Sequence, residues 1–144
     1  MKRAYSRHRA GASASTRDSN LLGDGKKNFI LGLDGCVCVV KGAPSKLSAS
    51  AVLRAREVRG AKEWVNGKFD EGHLICFFTS RPERFRGATE LWLRSHGFKY
   101  HSLVLERPVA RIYHYIDDRH VQATTFRGRY TPLVRKEHRI QVFR

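Results

Sequence analysis

The stretch Gly72-His-Leu-Ile-Cys-Phe-Phe-Thr-Ser-Arg-Pro-Glu83 decides the fold. Its centre, His73 to Thr79, is a continuous apolar run between a glycine and a Thr-Ser-Arg-Pro stop. A run of that length with no polar alternation predicts a strand buried on both faces, the mark of a parallel sheet. Upstream, Asn28-Phe-Ile-Leu-Gly-Leu-Asp34 is a second short apolar run that ends at an Asp-Gly turn. Between them, Val52, Leu53, Val58, Ala61, Trp64, Val65 and Phe69 recur at near-helical spacing, which predicts a helix from Ser48 to about Phe69 with Gly72 after its end. Residues 36–47 read as loop or hairpin.

Downstream, Arg84 to Ser95 reads as a second helix stopped by Gly97, and Tyr100 to Leu105 as a third strand. Ile112 to Asp117 reads as a fourth strand, Asp118 to Tyr130 as a short helix and Thr131 to Val134 as an edge strand. Strands alternating with helices imply βαβ units. The expected fold is α/β, with one Rossmann-like parallel sheet and helices on both faces. Trp64, Trp92, Phe77, Phe78, His114 and Tyr115 read as core or sheet-face residues.

Composition bounds the function classes. The 144 residues carry 28 Lys+Arg against 13 Asp+Glu, a formal net charge of +15. A hydrophobic content of 41% excludes wholesale disorder. No run approaches the roughly 20 apolar residues of a membrane span. Three cysteines, Cys36, Cys38 and Cys76, are too few for a disulfide scaffold and point to a reducing compartment. Most of the charge lies at the ends, with a net of +5 over residues 1–27 and +6 over 119–144, against +4 over 28–118. The expected organisation is a basic extension (1–27), a core domain (28–118), and the end of the core with a basic C-terminal extension (119–144). Residues 1–17 are rich in Arg and Ser without acid, which fits either a mitochondrial targeting segment or an RNA-binding arm.

Three expected strands end in polar groups: Asp34, Thr79 with Ser80 and Arg81, and Asp117 with Asp118. In an open parallel sheet those ends share one crevice, where ligands bind. Carboxylates meeting there suit Mg²⁺, and Thr79 suits a phosphate oxygen.

In this arrangement the chain from Phe29 to Val121, about two-thirds of its length, resembles the haloacid dehalogenase-like superfamily. The likeness is to its small capless phosphatases, related to sugar-phosphate and polynucleotide 3′-phosphatases. The resemblance rests on Gly72–Glu83, on Thr89-Glu-Leu-Trp-Leu-Arg-Ser-His-Gly97 and on Tyr113-His-Tyr-Ile-Asp-Asp-Arg-His-Val121. It implies that Asp34 matches the family's acid/base Asp, Thr79 its phosphate-binding residue, Arg107 the place of its Lys, and Asp117 and Asp118 its Mg²⁺-holding pair. It also implies a metal position at Asp34, Asp117 and Asp118. Gly32 stands where the family has its nucleophilic Asp, and Cys36 replaces the usual Thr. Without that Asp the covalent step is lost, so no active catalytic residue is expected and no cofactor is required, although Mg²⁺ remains an allowed occupant. Cys36 and Cys38 lie near the turn but have no evident base partner.

The positive function then falls to the basic ends. Arg3, Arg7, Arg9, Arg17, Lys26 and Lys27 precede the core; Arg127, Arg129, Arg135, Lys136, Arg139 and Arg144 follow it, interleaved with Phe126, Tyr130, His138 and Phe143. Cations alternating with aromatics neutralise phosphates and stack on unpaired bases. The leading expectation is a pseudoenzyme: a structural, RNA-associated, ribosomal-type protein held by rRNA and neighbouring proteins in a large ribonucleoprotein. The mitochondrial ribosome fits best, with the cytoplasm as the alternative location. The rival is a Mg²⁺-dependent phosphatase acting on a phosphorylated sugar or nucleic-acid end. A phosphate- or nucleotide-sensing pseudoenzyme is the third reading.

Overall fold

The structure, a computed structural model, describes residues 23, 25–42, 46–133 and 141–144. The chain is α/β. Its parallel sheet has three strands in the order β1 (Asn28–Leu31), β4 (Leu74–Phe78), β5 (Ser102–Val104). The central strand is the apolar run that the sequence singles out, and Ile75, Cys76 and Phe77 within it are buried. A separate two-stranded antiparallel ribbon joins β2 (Cys38–Val39) to β3 (Arg56–Glu57).

Register sorts the two sheet faces. Phe29 lies beside Ile75, and Leu31 beside Phe77, which in turn lies beside Leu103; this face packs into the core with Val65, Trp92, Leu93 and Phe98. Ile30, Cys76 and Ser102 form a row on the opposite face, where Ile30 is 50% exposed. The largest buried side chains lie on the first face, while on the second Cys76 is buried and Ile30 half exposed.

The helix expected over 48–69 is broken into α1 (Ala49–Leu53), β3 and α2 (Ala61–Asp70). Ser48 caps α1 by accepting from the Ala51 N–H at 3.1 Å. Gly60, at φ 83°, turns the chain through the left-handed region into α2. The apolar period alone did not reveal this interruption, because Val58 packs inward from the ribbon as it would from a helix. The helix expected at 84–95 is α3 (Arg86–Ser95), entered through a 3₁₀ turn at Glu83–Phe85. Trp92 is fully buried on α3, and its Nε1–H donates to the Ala55 carbonyl at 2.9 Å, tying α3 to the chain just after α1.

The C-terminal expectations fail. Residues 105–133 contain neither helix nor strand, so the fourth strand at 112–117 and the short helix at 118–130 are absent. Of the expected edge strand, residues 131–133 are not a strand, and Val134 lies outside the described residues. His114 and Tyr115 are exposed, not on a sheet face. The apolar residues of 112–116 have high strand propensity but no covering layer, and propensity without burial does not hold a strand. Among the described residues no helix is long and apolar enough to cross a membrane.

Candidate functional site

The C-terminal ends of the parallel strands gather Gly32, Asp34, Thr79 and Arg107. Asp34 follows β1 and forms an isolated bridge with Cys38. Around it the turn is closed by amides: Cys36, Val37 and Cys38 all donate to the Leu33 carbonyl, and Gly35, at φ 88°, donates to the Cys38 carbonyl. Thr79 is buried just beyond β4, with its hydroxyl accepting from the Arg81 N–H at 3.2 Å. The Arg107 N–H donates to the Thr79 carbonyl at 3.0 Å, which brings the turn after β5 beside the other two strand ends.

The residue that governs this site is Arg81, which sequence reading placed at the strand end but gave no role. Its side chain is 2% exposed. Nε donates to Asp34 Oδ2 at 3.0 Å and Nη2 to Asp34 Oδ1 at 2.7 Å, a bidentate ion pair. Nη1 donates to the Thr89 hydroxyl at 3.0 Å, and Nη2 also reaches Cys38 Sγ at 3.2 Å. Burial pulls the guanidinium pKa down, yet the hydrogen bonds and charge of Asp34 outweigh it and hold the pKa above its ordinary value. The available signal was an arginine directly after a buried strand, with a threonine eight residues on that faces inward from α3.

Arg107 is the second cation at the strand ends. Its guanidinium lies 5.4 Å from the Phe78 ring centroid and 4.4 Å from that of Tyr113. Its Nε is buried and, among the described residues, has no hydrogen-bond partner. A Cβ built at Gly32 would lie 3.8 Å from Arg107 Nη1 and 3.7 Å from Cys36 Sγ, an ordinary contact distance. The space beside Gly32 therefore faces a cation and lacks only a side chain.

The two cysteines are poor nucleophiles here. Burial pushes the Cys36 thiol up, and it pushes Cys38 up to about 12. Both thiols are protonated near neutral pH.

Asp117 and Asp118 are exposed in the irregular segment after β5. Asp117 accepts from the Tyr115 hydroxyl at 2.5 Å and from the Arg119 N–H at 3.0 Å; the tyrosine's bond first, then hydrogen bonding with Asp118 and the Arg119 amide, lower its pKa. Among the described residues no group of three or more His, Cys, Asp or Glu is gathered as a metal site, so Asp34, Asp117 and Asp118 do not form one cluster. With both Asp34 oxygens taken by Arg81 and no carboxylate at Gly32, this arrangement does not fit a Mg²⁺ held among them.

Of the basic residues singled out for RNA, Arg3, Arg7, Arg9, Arg17, Arg135, Lys136 and Arg139 lie outside the described residues. Lys26, Lys27, Arg127, Arg129 and Arg144 are exposed. The Lys26 ammonium donates to the Glu71 carbonyl at the end of α2. Tyr130, grouped with the base-stacking aromatics, is instead a packing residue. Its hydroxyl donates to the Cys36 carbonyl at 2.6 Å, and its ring lies 5.8 Å from Trp64 and 4.7 Å from Phe126. The chain matches no protein-family model, no curated protein and no solved structure.

Proposed function

We propose that this chain is a catalytically degenerate haloacid dehalogenase-like domain with basic extensions, serving as a structural RNA-associated component of a large ribonucleoprotein, the mitochondrial ribosome fitting best. The observation that carries the reading is the segment after β5. Over 105–133 it has no regular structure, yet it presents Arg111, Arg119, Arg127 and Arg129 beside exposed Val109, Ile112, Tyr115 and Ile116. Val109 and Ile112 are 84% and 83% exposed. A free monomer rarely leaves such apolar groups in water, and cations interleaved with them suit a polyanion together with neighbouring protein surface.

The enzyme reading ranks second because of the strand-end chemistry. Asp34 is committed to a buried guanidinium, and Gly32 offers no nucleophile. What remains is a scaffold with an intact parallel core and cationic surroundings.

The test is sedimentation of the native protein from gently lysed cells, with and without ribonuclease. Co-sedimentation with a heavy particle that collapses on ribonuclease treatment is the expected result. A protein that stays at the top of the gradient as a free 16.5 kDa chain rejects the reading and returns phosphatase and sensor assays to first place.

A further inference from the structure

Between the β2–β3 ribbon and the irregular C-terminal segment lies an open cleft of about 420 Å³. That size falls within the roughly 300–1,000 Å³ of clefts that hold small organic groups. Val39, Arg56, Arg59 and Phe126 line it, with Gly35 and Gly128 also in its wall. None of Gly32, Asp34, Thr79, Arg107, Asp117 or Asp118 lines it, and it meets the strand-end turn at Gly35.

We infer that this cleft binds one unpaired nucleotide of a single-stranded RNA segment, its base against Phe126 and its phosphates beside Arg56 and Arg59. The inference rests on the RNA-associated reading and names the place where that contact is made. Phe126 is half-buried, with its ring packed on Tyr130 at 4.7 Å, so it is a fixed platform instead of a free side chain. Arg56 and Arg59 are both exposed, sit three residues apart on and just after β3, and line the cleft; Arg127 and Arg129, close to Phe126 in the chain, are exposed outside its lining. The carboxylate in the wall, Glu57, is already held by Lys62 at 3.2 Å and by His96 at 3.2 Å, so its charge is met from within the protein. The glycines leave room for the flat base where larger side chains would fill it. An aromatic face with two cations across the cleft from it is the chemistry that takes an extruded base and its backbone, and a paired base has no free face to offer.

The experiment measures binding of a fluorescein-labelled, mixed-sequence single-stranded RNA, and of its duplex, to the full chain across a salt series. Phe126→Leu keeps apolar packing on Tyr130 but removes the ring; it is expected to weaken single-strand binding at least about fivefold and to leave duplex binding unchanged. Arg56→Gln with Arg59→Gln is expected to lower the salt slope by about 1.4, the release of two counterions. Arg84→Gln, outside the cleft, controls for loss of a surface charge. Tight, salt-dependent binding that both cleft variants leave intact overturns the cleft and spares the RNA reading, as does an equal loss on the duplex. A wild-type chain with no salt-dependent affinity for either RNA overturns the reading itself.

Discussion

Arg81 holds Asp34 by both carboxylate oxygens, at 3.0 and 2.7 Å, from a position where the guanidinium is buried and the carboxylate is 45% exposed. The two partners are therefore not equivalent. Asp34 has water as an alternative, whereas among the described residues the Arg81 guanidinium has only the Thr89 hydroxyl and Cys38 sulfur besides it.

That asymmetry sets the first prediction. Asp34→Ala leaves a buried cation uncompensated and is expected to cost about 2 kcal/mol, below the roughly 3–5 of a fully buried pair because Asp34 is half in water. Arg81→Met frees Asp34 to solvent and is expected to cost about 1 kcal/mol. Urea unfolding of the two single variants and the double variant measures the coupling. Equal costs, or costs that simply add, would show that the pair is not held as described.

Gly32→Asp is the second test. The new Cβ would meet Cys36 Sγ and Arg107 Nη1 at ordinary contact distance, so the substitution is expected to fold and to raise the melting temperature modestly through an ion pair with Arg107. It is expected to restore no phosphate release with p-nitrophenyl phosphate and Mg²⁺, because Arg81 still occupies Asp34. Turnover in this single variant that Asp34→Asn abolishes would overturn the view of Asp34 as a committed structural group.

The sheet was legible in the sequence where burial and pattern agree. Leu74–Phe78 and Ser102–Val104 lie inside the apolar runs read as strands, and Gly72 and Gly97, both at positive φ, end helices where glycine is favoured. The strand ends were legible in part: Asp34, Thr79 and Arg107 do converge, while Asp117 and Asp118 do not join them. Local propensity at 112–117 resembles that at 74–78, and what separates them is a packing layer, which no short window of sequence reports. Arg81 was illegible for the opposite reason. A single charged residue after a strand reads as solvent-facing, and only the three-dimensional meeting of Asp34, Thr89 and Cys38 makes its burial tolerable.

His101 predicts a pH dependence. Its Nδ1 accepts from the Ile75 N–H at 3.0 Å, so the ring is neutral with its proton on Nε2. Burial lowers its pKa below the ordinary 6.5, so the unfolded chain binds the extra proton more readily than the folded one. The stability this provides is present above about pH 6.5 and is lost as pH falls through that value toward the lower folded pKa. Urea midpoints are expected to drop between neutral pH and about pH 5 in the wild type, and to drop less in His101→Asn, which keeps an acceptor without titrating. Parallel profiles for the two proteins would remove His101 from the account.

Tyr130 carries the last prediction because it joins the irregular segment to the core. Its hydroxyl bonds the Cys36 carbonyl, and its Cβ lies 3.5 Å from where a Cβ at Gly60 would be. Tyr130→Phe loses one hydrogen bond and is expected to cost about 1 kcal/mol. Tyr130→Ala also removes the ring from Trp64 and Phe126, so the segment before it loses its hold on α2. Trypsin is then expected to cut after Arg119, Arg127 and Arg129 faster in the alanine variant than in the phenylalanine variant, while the cleavage rate at core sites stays the same. Equal rates at those three arginines in the wild type and the alanine variant would mean that the segment is held by contacts other than this ring.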